Sequence, residues 1–318
     1  MGFKEYRLPR KVFTGEDFQH TPFFVEDVSG QLATLSLDTQ YSDATNIEYS
    51  TDNVTWSSTK PSIPANGRVY IRANATYWAT SSTSSYKISS NRNFNVGGNI
   101  MSLLYGSNFT GNETSFPDPS IGYIFHYMFR LNSSVKSAEN LVLTVANADN
   151  CYRKMFHSCS ALTTAPALPA TTLAPNCYNS MFYQCTSLTT APALPATTLA
   201  TNCYYLMFYG CTSLTTAPAL PATTLVSGCY REMFSKCTAL TTAPALPATT
   251  LVDRCYVRMF LDCTSLSSVT VGATSWETSY SFNWLVNVSA TGTFTKPSVT
   301  TIPEGINGIP SGWTVVNV

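Results

Sequence analysis

The chain has 318 residues, with 18 basic and 18 acidic side chains and a formal net charge of zero. Only 11% of the residues are charged, well under the ~25% usual in soluble proteins, and the neutral balance argues against nucleic acid as the main partner, because phosphate binding needs a basic surface. Aromatic residues make up 13%, which excludes a disordered, solvating chain.

Residues 1–28 mix basic, acidic and aromatic side chains with little periodicity. Such a segment has no core of its own; arms of this kind are more often loose than functional, and the alternative expectation is an arm that docks on a partner. Phe3, Tyr6, Arg7, Arg10 and Phe13 are the candidate docking residues. The opening MGFKEYRLPRKVFTGEDFQH has neither an apolar stretch nor a small-residue cleavage site, and no cysteine precedes Cys151. Export by a standard signal is therefore not expected. No apolar run approaches the ~20 residues of a membrane helix, so membrane insertion is not expected either.

Residues 29–97 follow a different grammar. ATLSL, NIEYS, RVYIRA, SSYKIS and RNFNV are short β-rich runs separated by Asp, Asn, Ser, Pro and Gly. They predict a small antiparallel, immunoglobulin-like β-sandwich, with Trp56 and Trp78 as core anchors. Residues 98–150 read as a linker and an atypical first turn. Met128-Phe129 precedes Met155-Phe156 by one residue more than the period of the repeats that follow, and Val135 stands where Leu162 stands in the next turn.

Residues 151–266 hold five repeats. Blocks such as CYRKMFHSCSALTTAPALPATTLAPN begin at Cys151, Cys177, Cys203, Cys229 and Cys255, a constant 26-residue period. A second cysteine column follows at Cys159, Cys185, Cys211, Cys237 and Cys263. The period lies within the ~20–29 residues of leucine-rich repeats, whose turns bury their apolar faces only by stacking into a solenoid. LTTAPAL predicts a short extended piece, limited by prolines that donate no hydrogen bond. CYNSMFYQC predicts a short helix capped by Asn176, with Cys177, Met181 and Cys185 on one face. Residues 267–318 predict a strand-rich cap, with Trp276, Trp284 and Trp313 covering the last turn.

Cysteines eight helical residues apart are too distant for a disulfide within a turn. Between turns, bridges are geometrically possible, but each column holds an odd number of cysteines. Metal ligation fits poorly without a C-x-x-C pair. A buried ladder of free thiols fits best. HExxH, GxSxG, P-loop and GxGxxG motifs are all missing, and the Cys-His pairs of His157 do not recur in the other turns. No enzyme activity, cofactor or metal is expected.

The turns differ mainly in two dipeptides. These read RK, NS, YL, RE and VR at the first place, and HS, YQ, YG, SK and LD at the second. Both are expected on the exposed side of the stack. Neutral drift explains such variation, and so does recognition. On the second reading Tyr183, Tyr205, Tyr209, Arg231 and Arg258 are the candidate surface-recognition residues.

The turn CYxxMFxxCTSLTTAPALPATTLA resembles the BspA-like leucine-rich repeats of gut-bacterial surface proteins and of the phages that infect those bacteria. IEYSTDNVTWSS, FNVGGNIMSLLYGSNF, SAENLVL and the ending NVSATGTFTKP…GIPSGWTVVNV resemble the accompanying β-domain, linker, first turn and cap. The implied fold is mainly β with short helices: a β-sandwich, a BspA-type solenoid of 26-residue turns and a β-rich C-terminal cap. The implied role is non-enzymatic adhesion. With no export signal in sight, the expectation is a phage virion decoration or fibre protein, made in the host cytoplasm and placed on the virion surface. Residues 1–28 and the β-domain would join other virion proteins. The repeats, in many copies per particle, would touch a host-surface glycan or outer-membrane protein. The alternative is a bacterial cell-surface or secreted adhesin.

Overall fold

The computed structural model describes residues 17–37, 44–76 and 88–318. The chain is mainly β, and among the described residues helices are few and one turn long. Strands β1 (Phe24–Asp27), β2 (Leu35–Leu37), β3 (Thr45–Ser50), β4 (Arg68–Asn74), β5 (Ile88–Ser90) and β6 (Phe94–Asn99) come first. The short helix α1 (Ser102–Tyr105) and strand β7 (Val135–Val142) lead into the repeats. Strand β8 (Ser268–Thr270), helix α2 (Thr278–Ser281) and strands β9 (Thr293–Lys296) and β10 (Thr314–Asn317) follow them.

Five strands form one sheet in the order β3-β4-β1-β6-β7, while β2 and β5 pair separately. All pairs in the larger sheet are antiparallel except β6 with β7. That sheet ignores two expected boundaries. Its central strand β1 comes from the segment read as an arm, and Phe23, Phe24 and Val25 are fully buried. Its edge strand β7 comes from the atypical first turn. Gly97 of β6 is required by close approach, since a β-carbon there would collide with the Phe24 ring. Trp56 is half-buried beneath the Arg72 guanidinium, 4.1 Å from its ring centre. Trp78 lies outside the described residues.

The repeats stack turn upon turn. The expected helix is replaced by a chain of tight turns. Cys177, Asn179, Met181, Tyr183 and Cys185 each donate to the carbonyl three residues back, at 3.1–3.3 Å. The N–H groups between them donate to the next turn instead: Tyr178 to Cys203, Ser180 to Tyr205, Phe182 to Met207 and Gln184 to Tyr209. Asn176, Ser180 and Gln184 hold φ of 54–55°. A left-handed residue at every fourth position breaks the i to i−4 ladder of an α-helix. Side chains therefore alternate two in and two out. Cys177, Tyr178, Met181, Phe182 and Cys185 are buried. The expected inward face of Cys177, Met181 and Cys185 is present, but a four-residue turn period places it there rather than a helix.

Two aromatic columns run the length of this stack. Phe129, Phe156, Phe182, Phe208, Phe234 and Phe260 stack at 5.0–5.7 Å between ring centres. Tyr152, Tyr178, Tyr204, Tyr230 and Tyr256 stack at 5.9–6.4 Å and end on Trp284. On the proline side the turns meet only through isolated bridges, such as Thr190 with Thr216. Real strands appear only at the two ends, in β7 and β8. There Glu139 and Thr270 stand where the repeats carry proline, which restores the missing donor.

The pattern outlasts the last cysteine. Tyr256, Arg258, Phe260 and Asp262 donate to Tyr280, Phe282, Trp284 and Val286, so one more irregular turn follows the five regular ones. Trp284 is fully buried there, and its indole donates to the Gly308 carbonyl at 2.8 Å. Trp276 and Trp313 donate to Asn307 and Ser289. One continuous apolar core runs from Phe23 to Trp313.

Candidate functional site

The outward dipeptides define the surface on which the turns differ. Their side chains are less exposed than the sequence implies: Asn179, Ser180, Ser235 and Val257 are buried, and most others are half-buried. Each outward side chain lies against the one a turn away, because consecutive turns repeat in register. Stacking hides ring faces and leaves Tyr183, Tyr205 and Tyr209 half-buried.

The second dipeptide builds an outer aromatic ladder. His157 stacks on Tyr183 at 4.4 Å with 10° between planes, and Tyr183 stacks on Tyr209 at 4.7 Å with 3°. Lys236 closes it, with its ammonium 5.3 Å from the Tyr209 ring centre. The first dipeptide places the Arg231 guanidinium 5.0 Å from the Tyr205 ring centre. Glu232 pairs with Arg231 at 3.3 Å. At the opposite end Arg130 and Lys154 both lie over Tyr127, at 4.6 and 5.4 Å. The result is a ridge of ring edges bracketed by cations. Arg231 and Arg258 also share a cleft beyond its C-terminal end.

All five candidate recognition residues, Tyr183, Tyr205, Tyr209, Arg231 and Arg258, lie on this side. Tyr183 and Tyr209 share one column, and Tyr205 and Arg231 share the next. Sequence reasoning passed over His157 and Lys236, although His157 stands one repeat period before Tyr183. Column membership was the available signal for His157, whereas Lys236 stands in the neighbouring column with Gln184 and Gly210. The candidate docking residues Phe3, Tyr6, Arg7, Arg10 and Phe13 lie outside the described residues.

Burial governs the titratable groups. It pushes the Tyr183 and Tyr205 phenols above their ordinary range, so both remain neutral hydroxyls. His157 is held down at about 4, first by burial and then by the Lys154 and Arg130 charges, so its ring is neutral at pH 7. All ten cysteines are free and buried, and burial pushes thiols such as Cys203 and Cys211 up to about 12. A thiol in that state is a poor nucleophile and a poor metal ligand. Among the described residues no three of His, Cys, Asp and Glu converge to hold a metal ion, and no helix is long and apolar enough to cross a membrane.

Fold and ridge together define a mainly β, repeat-built protein with a variable aromatic and cationic face. No protein-family model, curated protein or solved structure matches the chain.

Proposed function

We propose that this chain is a non-enzymatic phage virion decoration or fibre protein, whose repeats form a BspA-like leucine-rich-repeat solenoid directed at the host surface. In this reading the five-stranded and two-stranded sheets are the layers of a small sandwich. Together with residues 1–28, the sandwich attaches the solenoid to the particle. The ridge meets a glycan or protein of the host envelope, and copy number on the particle multiplies weak contacts.

One observation carries the reading. TTAPALPATTL is identical in four turns, whereas the outward dipeptides differ from turn to turn. Those dipeptides supply the stacked His, Tyr, Lys and Arg of the ridge, and Tyr and Arg in particular dominate binding surfaces. The ten unpaired thiols support assembly in a reducing cytoplasm, as expected of a virion protein released by lysis.

The test is adsorption. Full-length protein added to host cells should block attachment of the phage. The double variant Tyr183→Ala/Tyr209→Ala should need roughly tenfold more protein for the same block, as expected on losing an aromatic anchor. Equal blocking by the variant overturns the ridge as the contact. Absence of the chain from gradient-purified particles overturns the virion assignment and favours a bacterial adhesin.

A further inference from the structure

Beyond Tyr205 the ridge opens into a cleft of about 680 Å³ at the C-terminal end of the stack. Its apolar surface comes from Val257, which is buried, and Phe282, which is 46% exposed. Its polar lining is Arg231, Arg254 and Arg258 together with Asp253, Thr278 and Ser279. Two carboxylates answer the three arginines. Glu232 pairs with Arg231 at 3.3 Å, and Asp253 with Arg254 at 3.7 Å. Among the described residues Arg258 has no carboxylate within ion-pair distance. The Nε–H groups of Arg258 and Arg231 are both buried without a hydrogen-bond acceptor. The cleft therefore carries three cations against two carboxylates beside an apolar surface, and Arg231 links it to the Tyr205 ring.

Resting on the reading of the ridge as a glycan-facing surface, we infer that this cleft is an anion subsite for an acidic saccharide. The singly charged oxyanion of one sugar unit, a carboxylate or a sulfate, sits on the planar fork of Arg258, with Arg254 beside it. The apolar face of that sugar lies on Phe282 and Val257. Neighbouring units run toward Tyr205. The ridge tyrosines supply ring contact, and the cleft supplies the preference for charge.

Calorimetric titration of the full chain with three probes tests this: oligogalacturonate, dextran sulfate oligomers and neutral dextran oligomers. At least one acidic probe should bind, more weakly as salt rises, and the neutral probe should bind at least about tenfold more weakly, ~1.4 kcal/mol. Whichever acidic probe binds tighter identifies the source of the oxyanion. Arg258→Gln should weaken acidic binding by about tenfold. Arg254→Gln provides a second variant, and both are compared with the parent by thermal melting to confirm folding. Neutral dextran binding as tightly as the acidic probes overturns the subsite, and so does acidic binding unchanged in both variants. Failure of every probe to bind also overturns it. The adsorption experiment with the Tyr183/Tyr209 double variant then decides the ridge on its own.

Discussion

The two cysteine columns occupy different chemical environments. Cys185, Cys211 and Cys237 donate their thiol protons to the carbonyls of Phe156, Phe182 and Phe208 in the preceding turn, each at 3.1 Å. The first column, including Cys203, is fully buried. Cys203→Ser would bury a hydroxyl without an evident acceptor and should cost about 1–3 kcal/mol. Cys211→Ser keeps a donor facing the Phe182 carbonyl and should cost clearly less. Urea melts of the two variants make the comparison, and equal losses would show that the thiol hydrogen bonds are immaterial. His157 gives a second residue-scale prediction. Its folded pKa of about 4 lies below the ordinary 6.5. From pH 6.5 down to about 4, the unfolded chain therefore takes up a proton that the folded one refuses. Stability should fall across that window and be flat in this respect above it. His157→Tyr, which continues the Tyr183 and Tyr209 column, should reduce the fall in urea midpoint between pH 7 and pH 4.5. An unchanged fall would assign the acid sensitivity to other groups.

At the scale of the element, the tight-turn segment depends on backbone sign more than on side-chain identity. Lys154, Leu206, Glu232 and Arg258 all hold φ of 52–57° in one column, despite their different chemistries. Gly210 holds 70° in the column it shares with Gln184 and Lys236. A β-carbon there would approach the Gln184 Cγ at 3.2 Å. Gly210→Ala should therefore cost about 1–2 kcal/mol, chiefly for an alanine in left-handed backbone. Gly210→Asn should cost less, because its amide bonds locally in that conformation. Denaturant midpoints decide, and an alanine variant as stable as the parent would mean the segment relaxes out of that conformation. The same geometry explains what was and was not legible. CYxxMFxxC displays a two-in, two-out pattern, and four-residue spacing led to the correct buried set. It also led to the wrong backbone, because a helix of 3.6 residues per turn produces nearly the same spacing. Alternate N–H groups bond to a neighbouring turn, and a partner almost a whole repeat away leaves no trace in a local window.

For the whole molecule, register is the organising quantity. Within the regular turns a donor reaches the residue 25 positions on, as Tyr178 reaches Cys203. The spacing is 26 at the front, from Phe125 to Cys151, and 24 at the end, from Phe260 to Trp284. Both irregular ends thus keep the ladder by one-residue adjustments. Removing residues 203–228 deletes one full period and rejoins Asn202 to Cys229, so the Phe and Tyr columns close up without a gap. The shortened chain should fold with the same far-UV spectrum and a modestly lower melting temperature. Removing only residues 203–215 breaks the columns and should abolish cooperative melting. If both deletions fold alike, the stack does not depend on register.

Sequence alone determined what is periodic or compositional. The 26-residue period, the two cysteine columns, the proline limits on strand pairing and the identity of the variable columns all repeat at fixed spacing, and repetition is visible without coordinates. Tertiary structure decided the rest. It brought Phe23, Phe24 and Val25 out of a segment read as an arm into the centre of a sheet, because burial depends on partners far away in the chain, Val69 and Val96 among them. It replaced helix by tight turns, because hydrogen bonds to the adjacent turn outcompeted those within the segment. It also assembled His157, Tyr183, Tyr209 and Lys236 into one ridge, and placed Arg231, Arg254 and Arg258 around one cleft. Stacking and charge pairing are relations between turns, and only the folded stack places those turns side by side.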